Sequence, residues 1–251
     1  MFFSEHQAIE IDDNDAETGN NSVSDENFLA EDDHDGWQAD VAEVYSPPRV
    51  CRPVPTMGLS PGFSADITTG TDLTTPDGQM QVWHDIDSQR PRRLLLGPPC
   101  TWYSTLQNLN FHRWSEQQKA EKARVADLMF NFAVRCCEKQ DDHGREFVLA
   151  HPASARSWGM PSMLALRNRP GVVRVTFDQC RLGLRDLEGK PLRNRTSIAT
   201  NSPTLAHIFD NFQCNCTTPH GVIQGSQHGV KMSVYAQMYP LDMQRALLAG
   251  L

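Results

Sequence analysis

One cysteine in this chain sits behind a stretch that aims it. Gly97-Pro98-Pro99-Cys100-Thr101-Trp102-Tyr103-Ser104 follows a short apolar run, and each of its two prolines fixes φ and removes an N–H donor. A thiol on so stiff a lead is restricted in orientation, which lowers the entropic part of a nucleophile's barrier. A free thiol titrates at roughly 8.5 and needs a cation or a dipole beside it to become a thiolate. Taken alone, the motif reads equally as a half-polar cysteine in a tight turn. Trp102 and Tyr103 beside it could stack on a base or pack in a core, and Trp158 follows the same logic. A second group is Cys214-Asn215-Cys216 with His220 and His228. Thiolate and imidazole suit tetrahedral zinc, but C-x-C-x3-H-x7-H is not a common finger, so plain loop residues remain the competing reading. Arg90, Arg92 and Arg93 are either a phosphate-facing patch or a solvated strand end. Cys136-Cys137 reads as helical core packing rather than a redox pair.

These side chains need elements to hold them. Val41–Tyr45 reads as a strand ended by Ser46-Pro47-Pro48, and Phe63–Ile67 as a second. Val82, Trp83 and Ile86 fit one helix face. Arg93–Gly97, with Leu94-Leu95-Leu96, has the continuous apolar character of a strand buried on both faces. Ser115-Glu116-Gln117-Gln118 has the form of a capping box, starting a helix to about Lys139 with Val125, Leu128 and Phe132 on one face. Strands are expected at Glu146–Ala150, Val172–Phe177 and Ser197–Thr200, and helices at Pro161–Asn168, Pro203–Asn211 and Leu241–Leu248. Strands alternating with helices predict an α/β domain with a largely parallel sheet and helices on both faces. Ligands of such sheets lie at the carboxyl ends of the strands.

Composition bounds the rest. The chain has 251 residues and a formal net charge of -8. Residues 1–48 hold 14 acids and no Lys or Arg, which leaves 17 acids against 23 bases in the remainder, a net +6. We expect a disordered acidic tail over residues 1–40, too polar to offset chain entropy, and one domain over residues 41–251. The basic domain keeps a nucleic-acid partner open. No basic-then-apolar leader opens the sequence, no run nears the roughly 18 apolar residues of a membrane span, and seven cysteines look intracellular and reduced.

The Pro99-Cys100 pair with Ser104 resembles the Pro-Cys motif of DNA (cytosine-5)-methyltransferases. The likeness extends in order. Glu43-Val44-Tyr45-Ser46 and Gly58 to Asp66 resemble that family's first strand, loop and acid-ended second strand. Phe147–Pro152 stands where the family has an apolar strand ending in Glu-Asn-Val, and Gln179–Thr200, with Arg193 and Arg195, resembles the segment with paired arginines. Ala236–Leu248 resembles its closing motif. The resemblance implies a compact, divergent member with a Rossmann-like sheet. It implies S-adenosylmethionine as cofactor and DNA as partner, with nuclear residence following from that substrate. Cys100 would add to carbon 6 of cytosine so that carbon 5 can attack the methyl donor, on a base taken out of the duplex. Arg195, with Arg193, would hold the ring oxygen or a phosphate. Tyr45, Ser46 and Pro98 would line the cofactor, Asp66 would accept its ribose hydroxyls, and Asp72 would lie near the adenine.

Two positions depart from the family. Its first loop is glycine-rich, whereas this one is Ser46-Pro47-Pro48-Arg49. Its strand ends in a Glu that assists protonation, whereas this one has Ala150. A general acid contributes about 10²- to 10⁴-fold. His151 titrates in the useful range, but neighbours on a strand point to opposite faces, so it can replace that Glu only if the strand ends at Ala150. The competing expectation is a catalytically decayed domain that binds nucleic acid or protein, inherited from a mobile-element polyprotein. A zinc-dependent interaction module is the third.

Overall fold

The computed structural model describes residues 36–104, 107 and 111–251. The expected acidic tail falls, up to residue 35, outside the described residues. The remaining unit, Gly36–Leu251, is built on a six-stranded sheet. In chain order its strands are β1 (Ala39–Val44), β2 (Pro61–Ala65), β3 (Pro91–Leu96), β4 (Glu146–Pro152), β5 (Val173–Asp178) and β6 (Arg195–Thr200). Their order in space is β2-β1-β3-β4-β6-β5. The first four run parallel, and β6 is antiparallel to both β4 and β5. A two-stranded hairpin, β7 (Ser226–Gln227) with β8 (Val230–Lys231), stands apart. The α/β class and the mostly parallel sheet are therefore as expected.

The apolar pattern explains the layering. Leu94 and Leu96 of β3 enter one core with Phe147 and Leu149 of β4, while Leu95 and Val148 enter the other. The first core is covered by α1 (Pro76–Gln89), α2 (Glu116–Asp142) and α3 (Pro161–Arg167) through Val82, Ile86, Phe130, Phe132, Met163 and Leu166. The second is covered by α4 (Pro203–Asp210) and α6 (Leu241–Leu248) through Leu205, Phe209, Met243 and Leu247. A one-turn helix, α5 (Met232–Tyr235), precedes α6. Helices thus lie on both faces, and β3 is buried on both sides as its run of leucines requires.

Local signals act as they should. Thr75 caps α1, its Oγ1 accepting from Gly78 N at 3.1 Å. Gly78 is demanded by packing, because a Cβ there would sit 2.0 Å from the Asp72 carbonyl oxygen. The Ser115–Gln118 capping box forms with both of its bonds. The buried face of α2 matches the expected one in Phe132 but not in the other two residues: Val125 and Leu128 are half-exposed, and Ala126, Phe130, Ala133 and Cys137 go inside. The arginine patch is also corrected. Arg93 is fully buried and bonds Glu146, Leu247 O at 2.6 Å and Ala249 O at 3.0 Å. Arg92 donates to Gly250 O and lies over Trp37. Both serve the amino end of the sheet.

Candidate functional site

The register brings most of the expected site residues to one rim. Val44 pairs with Leu96 and with Ala65, and Leu96 with Leu149. Tyr45-Ser46, Asp66, Gly97–Cys100 and Pro152 therefore leave the sheet at its carboxyl edge. Because β6 runs backwards, its first residue, Arg195, pairs with Asp178 at the end of β5 and joins the same edge. After β1 the chain moves outward to β2, and after β3 it moves the other way to β4. The order reverses between β1 and β3, which in open α/β sheets is where a ligand crevice forms.

Cys100 lies at that switch point. It is half-buried and opens a 3-10 turn, Thr101–Tyr103, whose Tyr103 N–H donates to Cys100 O at 3.0 Å. Burial raises the thiol pKa, and among the described residues no cation acts to lower it. The Tyr239 hydroxyl lies nearby and is pushed up to about 12, by burial first and by Glu43 and Cys100, with Arg49 opposing. Arg49 in turn donates to Gln237 O at 2.9 Å, so the segment before α6 packs beside the first loop.

His151 and Ala150 lie on opposite faces of the sheet. Strand β4 continues through Ala150 and His151 to Pro152, with Ala150 opposite Ile198 and His151 opposite Ser197. Ala150 packs in the second core, whereas the His151 ring sits among Tyr103, Phe130 and Trp158 on the other face. Its Nδ1 shares a 2.7 Å hydrogen bond with Ser157 Oγ. Burial lowers its pKa to about 4, and the Pro98 and Pro99 carbonyls oppose that shift without closing a hydrogen bond to Nε2. The ring is therefore a neutral prop beneath the Pro98-Pro99 turn at pH 7. A buried neutral imidazole facing away from Ala150 is no proton donor at that position.

The residues expected to line the cofactor have structural partners. Tyr45 adopts a left-handed backbone, φ 61°, and its hydroxyl donates to Met129 O at 2.7 Å. An aromatic residue at positive φ is held there by its surroundings. Ser46 Oγ donates to Glu43 Oε2 at 2.7 Å, and the N–H groups of Val50 and Cys51 both donate to Glu43 Oε1 at 2.7 Å. Glu43, 1% exposed, thus organises the whole Ser46–Cys51 loop, a role invisible in the sequence reading. Pro98 is buried. Asp66 caps the turn Ile67–Thr69 by accepting from Thr68 N and Oγ1. Asp72 does the same for Thr74, whose hydroxyl and N–H hold its carboxyl below the usual range.

Farther along the rim, Asp178 is 1% exposed and accepts from Arg193 Nε and from Cys214 N, each at 3.0 Å. Arg195 is exposed. Beside Cys100, Trp102, Phe111 and Trp114 form a half-exposed aromatic group. The Trp102 centroid lies 5.5 Å from Phe111 and 6.3 Å from Trp114, whose plane it nearly parallels. Lys122 lies 4.9 Å over Trp114, and Arg156 lies 5.6 Å over Phe111.

Next to Asp178, Cys180, Cys214, Cys216 and His220 present ligand atoms all within 4.8 Å of one another. The cluster differs in one member from the group weighed as zinc ligands in the sequence. His228 lies outside the cluster, in the β7–β8 turn at φ 48° followed by Gly229 at φ 79°, the backbone of a two-residue hairpin. Cys180 takes its place, and its only signal in the sequence was its position just past a strand end.

No protein-family model matches the chain, and no curated protein or solved structure matches it either. Among the described residues no helix is long and apolar enough to cross a membrane.

Proposed function

We propose that the α/β unit is a Rossmann-like, methyltransferase-like domain that binds DNA along the carboxyl rim of its sheet and has lost efficient methyl transfer. The observation that carries this reading is the reversal of strand order between β1 and β3, which sets the Cys100 turn and the Ser46–Cys51 loop side by side on the rim that also bears Arg195. The aromatic group at Trp102 and its two cations supply what a splayed base and its phosphates need.

The head of β1 does not fit S-adenosylmethionine. Pro47 and Pro48 have no N–H to offer, and the N–H groups of Val50 and Cys51 are committed to Glu43. The Ser46 hydroxyl goes to Glu43, and one carboxylate oxygen of Asp66, Oδ1, is taken by the Thr68 N–H and hydroxyl. A raised thiol pKa and an alanine where an acid would donate both oppose turnover. The rim therefore holds nucleic acid and orients a base without driving a reaction on it.

Fluorescence anisotropy with labelled duplex and single-stranded DNA tests the reading. Binding is expected to weaken steeply with salt, and Trp102→Ala to weaken it about 5- to 100-fold. Arg195→Ala is expected to lower affinity and the salt slope together, with S-adenosylmethionine having no effect. Absence of binding at low salt, or binding indifferent to both variants, rejects the proposal. The place of the half-buried Cys100 at the switch point favours the enzymatic reading instead. A covalent adduct with duplex DNA containing 5-fluorocytosine, formed only with S-adenosylmethionine and lost in Cys100→Ser, would establish that alternative.

A further inference from the structure

We propose that Cys180, Cys214, Cys216 and His220 hold one structural zinc ion, which fastens the loop after α4 to the end of β5. Three observations converge on it. First, four ligand atoms from two separate places in the chain, the end of β5 and the loop after α4, lie within 4.8 Å of one another, and Cys214 Sγ is 3.3 Å from His220 Nε2. Zinc–sulfur bonds of about 2.3 Å in a tetrahedron place sulfurs about 3.8 Å apart, so a small inward movement completes the shell.

Second, the donor set selects the ion. Three thiols and an imidazole suit zinc, whereas calcium and magnesium take oxygen ligands. The spacing fits one ion and is too tight for an iron–sulfur cluster, whose thiolates bind separate irons. Four protein ligands close the shell, as in structural rather than catalytic zinc sites.

Third, the surrounding chain needs a fastening. Residues 211–225 run from α4 to β7 without a helix or strand, and unstructured connections beyond about 12–15 residues are uncommon in compact domains. The loop is drawn against the domain at both ends. Asp178 N donates to Phe212 O and Gly221 N to Pro191 O, both at 2.9 Å. Gly221 approaches so closely that a Cβ would lie 2.3 Å from Asp186 Oδ2. The small apolar cluster beneath, centred on Leu184, Leu192, Met232 and Ala236, is a slender core for such a length. Around the ligands, Asp178 accepts the Cys214 N–H and Arg181 donates to the Asn215 side chain. Such outer contacts orient metal-binding groups. Zinc here would also fix Asp178, and through it Arg193, on the rim.

The full chain, purified without chelator, is expected to contain about one zinc per chain. A folded protein with less than about a tenth of an equivalent, and without the visible absorption of tetrahedral thiolate-bound cobalt(II) on titration, overturns the proposal. His228→Ala should keep the metal, and Cys180→Ser should lose it. The reverse pattern also overturns the assignment. If Cys180→Ser does not fold, His220→Ala and chelation of the unmodified chain decide. Chelation should lower the melting temperature and speed alkylation of Cys214 and Cys216 at least about tenfold, and no change in either counts against the site.

Discussion

Glu43 shows what a single residue can decide. Its carboxyl group accepts three hydrogen bonds at 2.7 Å, two from the main chain, in a nearly dry setting. Glu43→Gln keeps the shape but offers one acceptor oxygen and turns an NH2 group toward donors. We expect a loss of about 1–3 kcal/mol, read as a lower urea midpoint, with faster hydrogen exchange at Val50 and Cys51. In the sequence Glu43 is one residue of the first expected strand, and nothing in its neighbours tells that residues 50 and 51 return to it. Cys100 was legible, since Pro-Pro before a thiol is a local signal. The burial that raises its pKa was not, because that comes from elements far away in the chain. The same division holds for the cysteine–histidine cluster. Cys214, Cys216 and His220 are sequence neighbours and could be grouped from the sequence, whereas Cys180 meets them only through the fold.

At the scale of elements, the strands and main helices were readable from apolar runs and caps, and their ends were less so. Strand β4 was expected to stop at Ala150. It runs on because β6 pairs with it through Thr196, and Pro152 is tolerated at the strand's last position. That extension of two residues sends His151 and Ala150 to opposite faces, so the His151 ring cannot serve the position of Ala150. Arg93 teaches the converse. Arginines at the amino end of β3 read as solvated, yet Arg93 binds β3 to Glu146 of β4 and to the carbonyl end of α6. Arg93→Ala is expected to cost about 3–5 kcal/mol, because it leaves Glu146 Oε2 and two carbonyl oxygens without their donor. Chemical denaturation measures the loss, and hydrogen exchange should show the C-terminal helix opening first.

For the molecule as a whole, the buried His151 links folding to pH. An unfolded histidine takes up its proton near 6.5, whereas this one does so near 4 in the folded state. Between those values the unfolded chain binds more protons, so stability falls as pH falls from about 6.5 to about 4. The contribution is at most about 3 kcal/mol and is fully present above that window. Melting curves of the unmodified chain and of His151→Gln should diverge there, with the variant showing the shallower slope. Assembly of the rim belongs to this scale too. Local pattern alone, through hydrophobic period, capping groups and turn residues, determined that the chain would form an α/β sheet with Pro98-Pro99-Cys100 at the end of a buried strand. Those signals act over a few residues, so they survive in a one-dimensional reading. Only the tertiary structure decided that Glu43 closes the first loop, that His151 faces away from Ala150 and that Cys180 joins the later cysteines. Each of these depends on strand order and register, which bring together residues with no sequence neighbour in common.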